Sequence, residues 1–160
     1  MADTASVEGW WLLVRRPFVP ACRLPESKGV ADRATIRLLL VDDQPAVRRG
    51  LRMWLGLEPD LEIVGESSGD VDVCPLIDAV HPDVVLMDLE MPGPGGMSIT
   101  AQVHAREPDL PVVVLSLHDD ARMRTLASLA GAAAFVAKHD AAPRLLNTIR
   151  ACARSYRNHP

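Results

Sequence analysis

From Ile36 onward the chain alternates short, uninterrupted apolar runs with longer mixed stretches. The apolar runs are "IRLLLV" (36–41), "LEIVG" (61–65), "DVVLM" (83–87), "PVVVLS" (111–116) and "AAFVA" (133–137). They are β-branched or leucine-rich, and apolar residues stand at consecutive positions, not alternate ones. That pattern predicts strands covered on both faces, as in a parallel sheet. The mixed stretches, about 45–57, 70–80, 97–106, 120–130 and 141–155, have the length of helices. Pro45 suits a first helical turn, where its missing N–H is no loss. Pro82 and Pro108 end helices before the next strand, and Gly131 stands where a left-handed residue closes one.

Five βα units in strict alternation predict an α/β fold with a doubly wound, five-stranded parallel sheet and right-handed crossovers. Ligands in such folds bind beyond the carboxyl ends of the strands. The residues at those ends are Asp42 and Asp43 after the first strand, Asp88 after the third, Ser116 at the fourth and Lys138 after the fifth. Taken singly, each has an ordinary explanation. Asp42 or Asp43 could cap the following helix. Asp88 could open the turn in "DLEMPGPGG", Ser116 could cap a helix, and Lys138 could be solvated surface.

Taken together they converge on one sheet edge, where three carboxylates and one ammonium carry a formal charge near −2. Left unpaired in a cleft, that charge would cost several kcal/mol. A divalent cation removes the cost. Every side-chain donor is oxygen, with no His or Cys beside it, which favours Mg2+. Asp88 can then attack a phosphoryl donor and form an acyl phosphate. Mg2+, Lys138 and the Ser116 hydroxyl would stabilise the charge that develops on the phosphoryl oxygens. The Gly- and Pro-rich loop after Asp88 lets backbone approach the ion closely.

Residues 1–35 break the pattern. Pro17, Pro20 and Pro25 interrupt them and no period of 2 or 3.6 is sustained, so a poorly ordered extension is expected, with a short helix near Trp10–Val14. The paired Trp10 and Trp11 suit a docking peptide, and sequence upstream of the true start would look the same. This segment holds five Lys or Arg and four acids, so the whole-chain charge of −4 leaves −5 on the rest. An acidic body excludes general nucleic-acid binding through a basic surface. The three cysteines, Cys22, Cys74 and Cys152, are odd in number and dispersed, so they suggest neither a disulfide framework nor a CxxC metal site. No apolar run approaches the roughly 20 residues that cross a membrane. "WWLLV" (10–14) is too short for a signal-peptide core and follows Asp3 and Glu8. A cytoplasmic protein without a membrane partner is expected.

The stretches "LLLVDDQPAVRRGL", "PDVVLMDLEMPG", "VVVLS" and "GAAAFVAK" resemble the receiver domain of two-component response regulators, in order, spacing and strand position. The resemblance covers about 36–155, and "KHDAAPRLLNTIRACA" is most similar to the NarL/FixJ subfamily. It implies a (βα)5, flavodoxin-like receiver fold and a phosphorelay module that catalyses only its own phosphoryl transfer and dephosphorylation. Asp88 matches the phosphoacceptor. Asp43 matches the direct Mg2+ ligand and Asp42 the water-mediated one. Glu90 matches the position whose backbone carbonyl binds the ion, and its acidic side chain, near the phosphoryl site, could position or repel attacking water. Ser116 matches the switch hydroxyl, Lys138 the phosphate-pairing lysine, and Phe135 the aromatic that turns inward when the hydroxyl moves. The implied phosphoryl donors are a histidine kinase or a small molecule such as acetyl phosphate. A surface near 119–155 would then change its preference for a downstream protein. The sequence leaves open whether phosphorylation drives homodimerisation.

Two departures stand out. The loop reads "MPGPGG" where the family usually has "MPGMDG" or "MPGMNG", which places Pro94 and Gly95 at its middle. The chain also ends at "SYRNHP", where a linker to a helix-turn-helix domain would begin in NarL/FixJ-type proteins, so 156–160 reads as a tail or the start of a lost linker. Direct DNA binding is therefore not expected of this chain. The alternatives are a truncated or degenerate regulator working as a constitutive interaction module, or an aspartate-nucleophile phosphatase. The phosphatase fits less well, because its DxD motif has Glu90 at the third position here. A dinucleotide-binding reading lacks GxGxxG after the first strand.

Overall fold

A computed structural model describes residues 35–70, 72–93 and 95–158. The expected extension over 1–35, its helix near Trp10–Val14, Cys22 and Pro94 therefore fall outside the described residues, apart from Thr35. Five strands and five helices alternate along the chain. They are β1 (Ile36–Val41), α1 (Pro45–Leu55), β2 (Leu61–Ser67), α2 (Cys74–Val80), β3 (Val84–Asp88), α3 (Gly95–Arg106), β4 (Val112–Ser116), α4 (Ala121–Leu129), β5 (Ala134–Ala137) and α5 (Ala142–Arg157). The strands form one sheet in the order β2-β1-β3-β4-β5, and every pairing is parallel.

The consecutive apolar positions have a direct structural reading. Leu38 and Leu40 point to one face, where they pack with Leu51 and Leu55 of α1 and Leu145 and Ile149 of α5. Leu39 and Val41 point to the other, with Ile77 of α2, Ile99 and Val103 of α3 and Ala127 of α4. A strand with helices on both faces must be apolar at every position, because successive side chains alternate between the two layers. β3 and β4 are buried along their whole length for the same reason.

The strand order reverses direction between β1 and β3, which leaves a crevice at their carboxyl ends. One irregularity shapes the sheet beside it. Leu38 pairs with Ile63 but Leu39 pairs with Gly65, so β2 carries one extra residue. A Cβ on Gly65 would meet Leu39 Cδ1 at 3.0 Å, and glycine allows this close approach.

Several element ends differ from the sequence expectation by about two residues or more, among them the end of α1 at Leu55, the end of β2 at Ser67 and the start of α3 at Gly95, and two of the differences have a visible cause. α2 begins at Cys74, not near 70. The Asp72 carboxylate accepts the Cys74 N–H at 2.9 Å, and Pro75 needs a place in the first turn. Gly69, at φ +74, turns the chain before that point. α5 continues through Arg157, past the expected stop at 155. The Arg157 guanidinium donates to Asp83 at 2.6 Å and to the Thr35 carbonyl at 2.7 Å, which holds the last turn against the start of β1. Arg150 fixes the same helix nearer its middle, donating twice to Asp60 at 2.7 Å and once to Glu58 at 2.9 Å.

Candidate functional site

The strand ends do converge. β1 delivers Asp42, β3 ends on Asp88, β4 ends on Ser116, and Lys138 follows β5. All four are buried: Asp42 is 2% exposed, Asp88 1%, Ser116 0% and Lys138 8%. None can therefore be solvated surface, and each needs a partner.

Lys138 is the hub. Its Nζ lies 2.8 Å from Asp88 Oδ1, 3.2 Å from Glu90 Oε2 and 4.0 Å from Asp42 Oδ2. Its amide donates to the Ser116 carbonyl at 2.7 Å, which sets the height of β5 against β4 and so aims the side chain inward. Asp88 Oδ1 also accepts the Glu90 N–H at 3.0 Å. Asp42 uses one oxygen locally, accepting the Gln44 N–H at 2.8 Å. The capping reading of the acid pair is thus only partly met. Gln44 occupies the N-cap of α1 and makes no side-chain cap, while Asp42 holds the turn before it.

Among the described residues four carboxylate oxygens are buried without a hydrogen-bond partner: Asp42 Oδ2, Asp43 Oδ1, Asp88 Oδ2 and Glu90 Oε2, the last within ion-pair reach of Lys138. Asp42, Asp43 and Asp88 each offer an oxygen within 4.8 Å of the others. Orphaned buried oxygens on three acids are costly unless a cation joins them. The set fits a hard divalent ion with oxygen ligands, and Mg2+ in particular, which binds few carboxylates and keeps its waters.

The protonation behaviour agrees. Burial pushes the Asp88 carboxyl up to about 7, with Lys138 opposing it. Burial also raises Asp42, against the pull of the Gln44 amide and Lys138. Burial works to lower Lys138, but Asp88, Asp42 and Glu90 more than offset it and the ammonium is held above its usual value. Taken out of water, the Asp88 and Asp42 carboxyls favour the neutral form even with Lys138 beside them.

Glu90, whose acidic side chain the sequence placed near the phosphoryl site, adds a fourth carboxylate by reaching Lys138 and Ser116. Counted as ionised, Asp42, Asp43, Asp88 and Glu90 against Lys138 give −3, not the expected −2. Glu90 Oε1 accepts the Ser116 hydroxyl at 2.6 Å and the Leu117 N–H at 2.7 Å. Burial works to raise this carboxyl, but these donors and Lys138 hold it below its usual range. The spacing of two from Asp88 was the available signal, since residues i and i+2 of an extended chain face the same side.

Phe135, expected as a movable aromatic, is half-buried on the α2–α3–α4 side of the sheet. The Arg124 guanidinium of α4 lies 4.7 Å from its ring centroid, and Arg124 Nε donates to Asp119 at 2.5 Å. Aromatic ring, α4 and the loop after Ser116 are therefore linked.

Gly96, at the start of α3, brings that helix against the site. A Cβ there would sit 1.8 Å from the Asp88 carbonyl oxygen and 3.0 Å from Leu89 Cα. Both obstacles are backbone, so no rotamer relieves them. Gly96→Ala should destabilise the domain by at least about 2 kcal/mol, measured by urea denaturation. An unchanged midpoint would show that α3 can stand off from Asp88 freely.

The geometry defines a class first: a five-stranded parallel α/β domain with an acidic cluster and a buried lysine at its carboxyl edge. Residues 38–150 match the response regulator receiver domain family. The chain belongs to that family. It is 32% identical over 119 residues to the transcriptional regulatory protein DegU of Brevibacillus brevis, covering 74% of this chain and 50% of the relative. It is 37% identical over 120 residues to the transcriptional regulatory protein LiaR of Bacillus subtilis, covering 74% and 56%. The solved signal receiver domain of the response regulator NarL from Mycobacterium tuberculosis superposes with a TM-score of 0.68 at 32% identity, covering 76% of this chain and 98% of that one. The chain spans about half the length of the curated relatives it matches. Among the described residues no helix is long and apolar enough to cross a membrane.

Proposed function

We propose that this domain accepts a phosphoryl group on Asp88 and relays a signal through the surface around α4 and β5. The observation that carries the reading is the buried Asp88 carboxylate. One of its oxygens is paired with Lys138 at 2.8 Å, and the other is orphaned beside the orphaned oxygens of Asp42 and Asp43. Asp43 is assigned as the direct Mg2+ ligand, Asp42 as the water-mediated one, and the Glu90 backbone carbonyl as a further ligand. When bound, the ion would offset much of the negative charge of the cluster and polarise the incoming phosphoryl group.

A carboxylate oxygen of Asp88 attacks phosphorus. The bond from phosphorus to the leaving atom of the donor breaks, and the electron pair departs with the donor. Lys138 and the Ser116 hydroxyl stabilise charge on the phosphoryl oxygens. Movement of Ser116 would draw the 117–120 loop with it, and Phe135 with Arg124 would transmit the change to α4. The proposed partners are a histidine kinase as donor, acetyl phosphate as a small-molecule donor, and a downstream protein, with homodimerisation a state to be tested in the phosphorylated form. The proposed compartment is the cytoplasm.

Phosphorylation by acetyl phosphate should require Mg2+ and should fall with Asp43→Ala. That variant should weaken Mg2+ binding at least about tenfold, as losses around metal sites commonly do, with little loss of melting temperature. A variant that unfolds with no specific effect on Mg2+ affinity would return Asp43 to a purely structural role.

A further inference from the structure

The Glu90 side chain makes a set of contacts that the metal and phosphoacceptor roles do not use. Its Oε1 takes the Ser116 hydroxyl at 2.6 Å and the Leu117 N–H at 2.7 Å. Its Oε2 stands 3.2 Å from Lys138 Nζ. Hydroxyl, amide and ammonium come from two different strand ends and converge on one carboxylate. Ser116 is fully buried, and its hydroxyl proton has one short anionic acceptor in this carboxylate. The other acceptor in reach is the His118 carbonyl at 3.2 Å.

These three donors are also those that a phosphoryl group on Asp88 would draw on. Lys138 already touches Asp88, and Ser116 and Leu117 lie at the end of the neighbouring strand β4. The Ser116 hydroxyl and the Leu117 N–H carry one proton each, so an anion at Asp88 and the Glu90 carboxylate cannot both hold them, whereas the Lys138 ammonium already touches both carboxylates. We infer that Glu90 is an internal stand-in for the phosphoryl group, a positioning residue that holds Ser116 and Leu117 in the resting arrangement and must release them when Asp88 is modified. This rests on the phosphoacceptor reading of Asp88. Glu90 thereby sets the threshold of the switch. Charge-assisted hydrogen bonds made to Glu90 in the resting state are subtracted from whatever the phosphoryl group gains. The two carboxylate oxygens divide the work, one toward β4 and one toward Lys138, so a neutral amide at position 90 can keep at most half of it.

The test is a titration of the Mg2+-loaded protein with beryllofluoride, a phosphoryl mimic, in wild type, Glu90→Gln, Glu90→Ala, Asp88→Asn and Ser116→Ala, and in the double variant of Glu90→Gln with Ser116→Ala. Glu90→Gln and Glu90→Ala should bind the mimic about tenfold more tightly than wild type, the weight of one charge-assisted hydrogen bond no longer given up. In the Ser116→Ala background the gain from Glu90→Gln should shrink, because the shared contact is already gone. Equal affinity in wild type and both Glu90 variants overturns the inference while leaving Asp88 in its role. A gain that is undiminished without Ser116 also overturns it, since it would mean simple charge repulsion. A wild type that does not respond, or an Asp88→Asn variant that responds equally, overturns the phosphoacceptor reading and the inference with it.

Discussion

Lys138→Ala should destabilise the Mg2+-free domain by about 3–5 kcal/mol, and added Mg2+ should restore much of the loss. The first figure is the usual cost of removing one partner from a buried ion pair. The second follows from the geometry. Lys138 is the cation the site carries among its described residues, reaching Asp88 at 2.8 Å, Glu90 at 3.2 Å and Asp42 at 4.0 Å. Without it, the carboxylates face one another with no counter-charge and with orphaned oxygens on Asp42, Asp43 and Asp88. An ion bound to those oxygens supplies part of the missing charge, by mass action on the folded state alone. A Lys138→Ala protein as stable as wild type in EDTA would mean that the acids are not ionised together. A loss that Mg2+ leaves untouched would mean that the ion does not bind beside Lys138.

The Mg2+-free wild type should become more stable, by about 2 kcal/mol, as the pH falls from 8 to about 5. Most soluble domains lose stability in that direction once paired carboxylates begin to protonate. Here burial raises the Asp88 carboxyl from 3.8 to about 7 and also raises Asp42. Between the unfolded and folded values the native state binds more protons than the unfolded chain, so stability rises as protons are added. Glu90 works the other way, but its lowered value confines that loss to pH below its ordinary 4.5. Lys138 is held above 10.5 and stays charged throughout the window. Mg2+ should reverse the trend. It needs ionised carboxylates, so it stabilises strongly at pH 8 and weakly at pH 5. Asp88→Asn should flatten the Mg2+-free profile. Urea midpoints across this pH range, with and without Mg2+, check all three expectations. A Mg2+-free midpoint that falls steadily from pH 8 to 5 would contradict the assigned burial of Asp88.

The fold was largely legible because its strands are buried twice over. "LLLV" and "VVVL" are apolar at every position, which only a sheet covered on both faces demands. The carboxyl-edge rule then selected Asp42, Asp43, Asp88, Ser116 and Lys138 from their positions alone, and at that edge four are buried and Asp43 is half-buried. What escaped the sequence was local competition and long-range pairing. Asp72 captures the Cys74 amide and delays α2, an effect of one side chain that periodicity does not register. The clasp of Arg150 on Asp60 spans 90 residues, and that of Arg157 on Asp83 spans 74. Charge spacing along a chain carries no information on such separations. Glu90 lies between these cases. Its distance from Asp88 was visible, but its bond to Ser116 crosses 26 residues and depends on β3 and β4 being neighbours.

The most direct test of the account is the intact mass of the protein after incubation with Mg2+ and acetyl phosphate. Wild type should gain one phosphoryl group, which hydroxylamine removes as it removes an acyl phosphate, and the gain should be absent in EDTA and in Asp88→Asn. A phosphoryl group that still appears in Asp88→Asn, or one that forms equally well without Mg2+, would contradict the assignment of Asp88 as the phosphoacceptor of this site.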